Sequence, residues 1–81
     1  MSSEDRLKIR DFMNRYFRNP DLKDDDDIFA LGYVNSLFSS QLILFIEEEF
    51  MIMITNKDLK LSNFSSIEAI DSLIERKKLE E

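Results

Sequence analysis

At 81 residues, with eleven basic and seventeen acidic side chains and a net charge of −6, the chain has room for one core, predicts a single domain over residues 1–81, and offers nucleic acid no basic face. It has no histidine and no cysteine, which removes imidazole proton transfer, a thiol nucleophile and zinc sites built on nitrogen or sulfur. With one glycine and so small a body a deep catalytic pocket is not expected, so the sequence predicts a non-enzyme whose reactive group, if it takes part in chemistry, comes from a cofactor.

The opening Met-Ser-Ser-Glu-Asp-Arg runs into no apolar segment of the signal-peptide kind, which predicts a cytoplasmic protein. The lack of cysteine fits that compartment. Ser2 and Ser3 ahead of Glu4 and Asp5 read as a helix start. Leu7, Ile9, Phe12, Met13, Tyr16 and Phe17 then recur at helical spacing, opposite Arg6, Arg10, Asn14 and Arg15, and predict a first helix over 3–17. Asn19-Pro20 is its stop, because the residue before proline avoids the helical region. Residues 21–31 read as a loop that contains the run Asp24-Asp25-Asp26-Asp27. The run does not fit a calcium loop: counted from Asp24, the sixth position should be glycine and is Phe29, and the twelfth should be glutamate and is Asn35. It is expected to be solvated and extended by self-repulsion, with Ile28, Phe29 and Leu31 pinning the loop to the core. Gly32 permits the positive φ of a sharp turn.

A second helix is predicted over 36–50, capped by the side-chain oxygen of Asn35. Ser36 falls in its first turn, at the positive end of the helix dipole, where an attached phosphate would be well placed. Leu42, Ile43, Ile46 and Phe50 form the core stripe, with Ser39 one turn earlier. Leu37, Phe38, Gln41, Leu44, Phe45 and Glu48 lie mostly off that stripe. So small a domain has few elements to cover a helix all round, so these residues predict a partly exposed apolar patch for partner binding. Glu47, Glu48 and Glu49 would rim it; they oppose the helix dipole and suit partner steering or solubility.

The longest apolar run, Phe50 to Ile54, is far too short to span a membrane. It reads as an extended connector with Ile52 and Ile54 inward and Met51 and Met53 outward. Residues 56–61 predict a short helix capped by Asn56, and Ser62-Asn63-Phe64 a loop. Ser65-Ser66-Ile67-Glu68 matches a capping box. Ile67, Ile70, Leu73 and Ile74 then predict a last helix over 66–78, with Arg76, Lys77 and Lys78 at its negative end. The fold class is therefore all-α: a small four-helix bundle of three longer helices and one short one.

In this order the motifs resemble the acyl and peptidyl carrier proteins, over about residues 7–77. The resemblance rests on Gly32 through Leu37, on Leu42 to Phe50 with its Glu47-Glu48-Glu49-Phe50 ending, and on Phe64-Ser65-Ser66-Ile67. It implies that Ser36 carries covalent 4′-phosphopantetheine, attached from coenzyme A by a separate phosphopantetheinyl transferase. The arm's thiol would hold an acyl or aminoacyl thioester for loading and acyl-processing enzymes, and the carrier would be a monomer. Asn35 stands where the family usually has Asp, which keeps the cap but loses a charge available to the transferase and its metal ion. Tyr33 and Val34 separate Gly32 from Asn35, where fatty-acid carriers often have one residue. In that respect the chain is similar to free-standing carriers of unusual extender units for polyketide and nonribosomal peptide pathways; the D-alanyl carriers of teichoic acid show similar spacing. Phe38 and Gln41 stand where acids are common in fatty-acid carriers. The expected partner-binding set is Asn35, Leu37, Phe38, Gln41, Leu44, Phe45 and Glu48, relying on aromatic anchors more than on charge pairs. The residues alone also allow a non-catalytic helical adaptor that uses the same patch without a prosthetic group.

Overall fold

The computed structural model describes residues 3–17, 21–32 and 34–80. Three α-helices, α1 (Ser3–Tyr16), α2 (Ser36–Phe50) and α3 (Ile67–Glu80), enclose the core. Two single 3-10 turns, Asn56–Asp58 and Leu61–Asn63, stand between α2 and α3. The class is all-α, as the periodicity indicates, but the short helix of the expected bundle is two separate 3-10 turns. Thr55 rather than Asn56 starts the first of them. The Asp58 carboxylate accepts hydrogen bonds from the Thr55 backbone N–H at 2.9 Å and its hydroxyl at 3.0 Å, closing one tight turn. The Asn19-Pro20 stop and Ser2 lie outside the described residues.

Ile9, Phe12 and Met13 of α1 meet Leu42, Ile46 and Phe50 of α2 and Ile67, Ile70 and Ile74 of α3 in the core. Leu22, Ile28 and Ile52 plug it from the connecting segments. Met51 leaves α2 in the left-handed conformation (φ 56°, ψ 45°), uncommon for a residue with a side chain, and reverses the chain there. Ile52 is then buried while Met51 and Met53 face solvent, the alternation expected of an extended connector. Glu47 is more than rim: its carboxylate accepts the Ile54 N–H at 3.0 Å and ties that connector back to α2.

The aspartate run departs from its expected role. Only part of it is solvated, because Asp24 lies between two arginines of α1. Arg6 Nη1 donates to Asp24 at 3.1 Å, and Arg10 donates both to Asp24 and to the Leu22 carbonyl. The Arg6 Nε donates to Asp71 of α3 at 2.8 Å. These arginines hold the Asp24 carboxyl below the usual carboxylate range, Arg10 contributing most. Backbone bonds stitch the same loop to the start of α3: Glu68 N–H to Asp24 C=O and Ile28 N–H to Ser65 C=O, each 2.8 Å. Asp26 accepts from the Lys23 N–H.

The capping box is also displaced by one residue. Ser66, not Ser65, is the cap of α3: its hydroxyl accepts the Ala69 N–H at 3.0 Å, which leaves Glu68 one place short of the reciprocal position. The basic end of α3 makes contacts to segments distant in sequence, Lys77 to Asp58 at 2.9 Å, Arg76 to Asn63 at 2.9 Å and Lys78 to Asp5 at 3.1 Å.

Asp71 is fully buried, and its second oxygen has no hydrogen-bond partner among the described residues. Removing Arg6 therefore strands a buried carboxylate. Arg6→Ala is expected to lower the thermal midpoint well beyond Lys8→Ala, which loses the exposed Lys8–Glu49 pair and a 6.0 Å cation contact over the Phe50 ring. Equal shifts in a thermal melt would refute the role given to Arg6.

The Lys77 ammonium and the Thr55 N–H lower the Asp58 pKa from its ordinary 3.8 to about 2. A depressed carboxylate pKa adds stability that is complete above the unfolded value and fades as pH falls through the folded one. The stability difference between wild type and Asp58→Asn is thus expected to be full at about pH 5, mostly lost by about pH 2 and gone about one unit lower, as read by thermal melts across that range.

Candidate functional site

The site is built at the start of α2 by the loop before it. The Asp27 carboxylate accepts the N–H groups of Phe29 (2.9 Å) and Ala30 (3.3 Å), folding residues 27–32 into successive turns. Gly32 N–H closes on the Phe29 carbonyl at 3.0 Å, with Gly32 at φ +76°. A Cβ at Gly32 would meet nothing within 4 Å, so glycine serves the positive φ there and not a tight approach. Asn35 is extended and caps α2, its side-chain oxygen accepting the Phe38 N–H at 2.8 Å. Such a cap is worth about 1 kcal/mol.

Ser36 is the first residue of α2 and is exposed. By helix geometry the N–H groups of Ser36 and Leu37 have no carbonyl partner within the helix and point outward beside the hydroxyl. No negative side chain sits in that first turn, so the dipole's positive end is not neutralised by the helix itself. An exposed hydroxyl beside such donors fits a phosphodiester.

The expected partner patch divides in two. Phe38, placed by the sequence with the exposed set, is 2% exposed. Four-residue spacing sets it one turn above Leu42 on the core stripe. Phe12, Tyr16 and Phe17 of the first helical segment lie with ring centroids at 5.9, 5.5 and 4.8 Å from it. Phe45 is half-buried: it stacks on Phe12 at 4.6 Å and meets Phe50 edge-on at 5.9 Å. Both are therefore packing residues first. Leu37 (67% exposed) and Leu44 (49% exposed), two turns apart, form an apolar ridge with Gln41 half-buried between them and Glu48 exposed beyond.

Sequence reasoning missed a cavity of about 250 Å³ beside this helix. Val34, Phe38, Ser39, Leu42 and Ile43 line one side, Ile28 and Phe29 the floor of the loop, and Leu59, Lys60, Leu61 and Phe64 the other side. Ser39 lies one turn after Ser36. The available signal was the pair Leu59 and Leu61, too apolar for a free loop and too short-spaced for a helix stripe. Among the described residues no group of acidic, histidine or cysteine side chains is arranged to hold a metal ion. No described helix is long and apolar enough to cross a membrane.

No family model matches the chain, and no curated protein matches it. Solved structures do match it, two complexes among them. Each is a complex of an engineered glycine:[carrier protein] ligase from Bradyrhizobium japonicum with a carrier protein from Agrobacterium tumefaciens, one with AMP and one with ATP. The matched chain in the AMP complex is 31% identical, with a TM-score of 0.73, over 86% of this chain and 97% of that one. The ATP complex gives 30% identity and a TM-score of 0.74, over 89% and 97%. The chain belongs to the carrier proteins. As a member of this family the chain is a carrier, not an enzyme.

For this carrier the divided patch has a measurable consequence. Phe38→Ala removes a fully packed ring and is expected to cost about 3–5 kcal/mol of folding stability. Leu44→Ala, on the exposed ridge, is expected to stay within about 0.5 kcal/mol of wild type. Denaturant titrations separate the two, and similar losses would show that the ridge is structural.

Proposed function

We propose that Ser36 is the attachment site of 4′-phosphopantetheine, added from coenzyme A by a phosphopantetheinyl transferase. The single observation that carries this is an exposed serine hydroxyl at the first position of α2, beside outward-pointing N–H groups, in a member of the carrier family. When attached, the arm supplies the thiol that the polypeptide lacks and holds the cargo as a thioester. The chain's own residues do the rest. Asn35 and Gly32 fix the direction in which Ser36 is presented. Leu37, Gln41, Leu44 and Glu48 offer partners a small ridge beside it, with Asn35 at its near end. Phe38 and Phe45 keep that ridge rigid from beneath.

The cargo we infer is aminoacyl, loaded by a dedicated ligase, because the related Agrobacterium carrier is bound by a glycine:[carrier protein] ligase. Such a carrier works in the cytoplasm, where coenzyme A and the loading enzyme meet it, as one domain and as a monomer. An unusual extender unit for polyketide or nonribosomal peptide assembly is the second reading, favoured by the Gly-Tyr-Val-Asn-Ser spacing; Tyr33 itself lies outside the described residues.

Incubation with coenzyme A and a broad-specificity transferase is expected to add the mass of one arm to wild type and none to Ser36→Ala, as read by intact-protein mass spectrometry. Wild type left unmodified by a competent transferase would instead favour an adaptor that binds through the ridge without an arm. For the cargo, the loaded arm is expected to carry an amino acid when the modified protein is presented to ligases of the glycine-activating kind with ATP.

A further inference from the structure

We propose that Asp27 is a positioning residue for the modification of Ser36: its carboxylate orders the exposed segment that leads into α2 and so keeps the first turn of that helix formed around the serine. The proposal rests on the reading of Ser36 as the attachment site. Two apolar anchors bracket the segment. Ile28 is fully buried and bonded through its N–H to the Ser65 carbonyl at 2.8 Å, and Val34 packs against the core. Between them Ala30 and Gly32 are exposed and Leu31 is 46% exposed, so burial does little to hold the chain there.

What orders it is a set of bonds centred on one residue. Three successive N–H groups end on Asp27: those of Phe29 (2.9 Å) and Ala30 (3.3 Å) on its carboxylate, that of Leu31 on its carbonyl at 3.2 Å. Gly32 N–H then closes on the Phe29 carbonyl at 3.0 Å, which sets the left-handed turn. That turn delivers the chain to Asn35, which clasps the start of α2. Its side chain takes the Phe38 N–H at 2.8 Å and its carbonyl the Ser39 N–H at 2.9 Å. Ser36 and Leu37 lie inside the clasp. Asp27 is itself exposed, so the geometry uses its oxygen as an acceptor and does not need its charge. Placement matters to the chemistry. In the transfer the Ser36 Oγ bonds to the phosphorus on the pantetheine side of the coenzyme A diphosphate. The bond from that phosphorus to the bridging oxygen breaks, adenosine 3′,5′-bisphosphate leaves, and the hydroxyl proton passes to a base of the transferase. Such a displacement depends steeply on where the attacking oxygen stands.

The test compares Asp27→Ala with Asp27→Asn, which discards the charge and keeps an oxygen able to accept both N–H groups. Asp25→Ala removes a charge from the same loop and controls for steering. Each full-length, unmodified protein is followed by amide hydrogen exchange and by the rate at which a broad-specificity transferase adds an arm from coenzyme A. Asp27→Ala is expected to speed exchange at the Phe38 and Ser39 amides and to leave the core amides of α3 unchanged. Its kcat is expected to fall about tenfold with KM within about twofold of wild type, because the Leu37–Leu44 ridge is untouched. Asp27→Asn and Asp25→Ala are expected to stay within about twofold in both constants. An Asp27→Asn protein as slow as Asp27→Ala would make Asp27 a charge that the transferase reads, and would overturn the proposal. So would a loss in KM alone, a normal kcat in Asp27→Ala, or slowed transfer with unchanged Phe38 and Ser39 amides. Wild type that takes no arm overturns the attachment reading itself and this proposal with it, a failure seen before any variant is compared.

Discussion

Arg6 joins three parts of the chain that are far apart in sequence. Its Nε holds Asp71 in the middle of α3 and its Nη1 holds Asp24 in the loop, while its own backbone belongs to α1. Because Asp71 is buried and, among the described residues, only one of its oxygens is satisfied, Arg6 fixes how α1 sits on α3. Because Asp24 shares the guanidinium with it, the same bond fixes where the loop begins. From that point the geometry runs forward without slack. Ile28 bonds to Ser65, the Asp27 turns follow, Gly32 turns the chain, and Asn35 caps the helix that starts at Ser36. An exposed hydroxyl is presented in a fixed direction only if the segment before it is held from beneath, and here a buried ion pair does the holding.

Much of this was legible in the residues. The bounds of α2 follow from Asn35 at one end and the run of apolar residues closing at Phe50, and the structure begins and ends the helix at those places. The stripe of Ile67, Ile70, Leu73 and Ile74 marked α3 for the same reason: all four are buried. What escaped were features set by partners from elsewhere in the chain. Phe38 reads as exposed until Tyr16 and Phe17 are known to close over it. Asp24 reads as a solvated acid until Arg6 and Arg10 are brought alongside. The cap of α3 slips from Ser65 to Ser66, because adjacent serines leave a single-residue register to tertiary contacts, here Ile28 bonding to the Ser65 carbonyl.

The burial of Phe38 changes what the face of α2 offers. An aromatic anchor in a partner's pocket would have to leave the core, which the rings around it oppose. The surface left for recognition is narrower, a pair of leucines two turns apart with a polar residue between them. In the function proposed, such a ridge would select by shape and by exclusion of water more than by charge.

The net charge of −6 does not turn this into an acidic docking face. Asp24 and Asp71 are taken up by arginines, Asp26 and Asp27 by backbone N–H groups, Asp58 by Lys77, Glu47 by the connector and Glu49 by Lys8. Along α2 this leaves Glu48 as the acid not engaged within the chain among the described contacts. Charge in this protein holds the loop before Ser36 and the two 3-10 turns beside the cavity, while aromatic contacts join α1 to α2. Along the α2 face proposed for docking, a basic partner surface would find that one acid, whereas an apolar one would find Leu37 and Leu44 exposed. In the function proposed, this favours a dedicated partner shaped to the ridge over a general one drawn by charge.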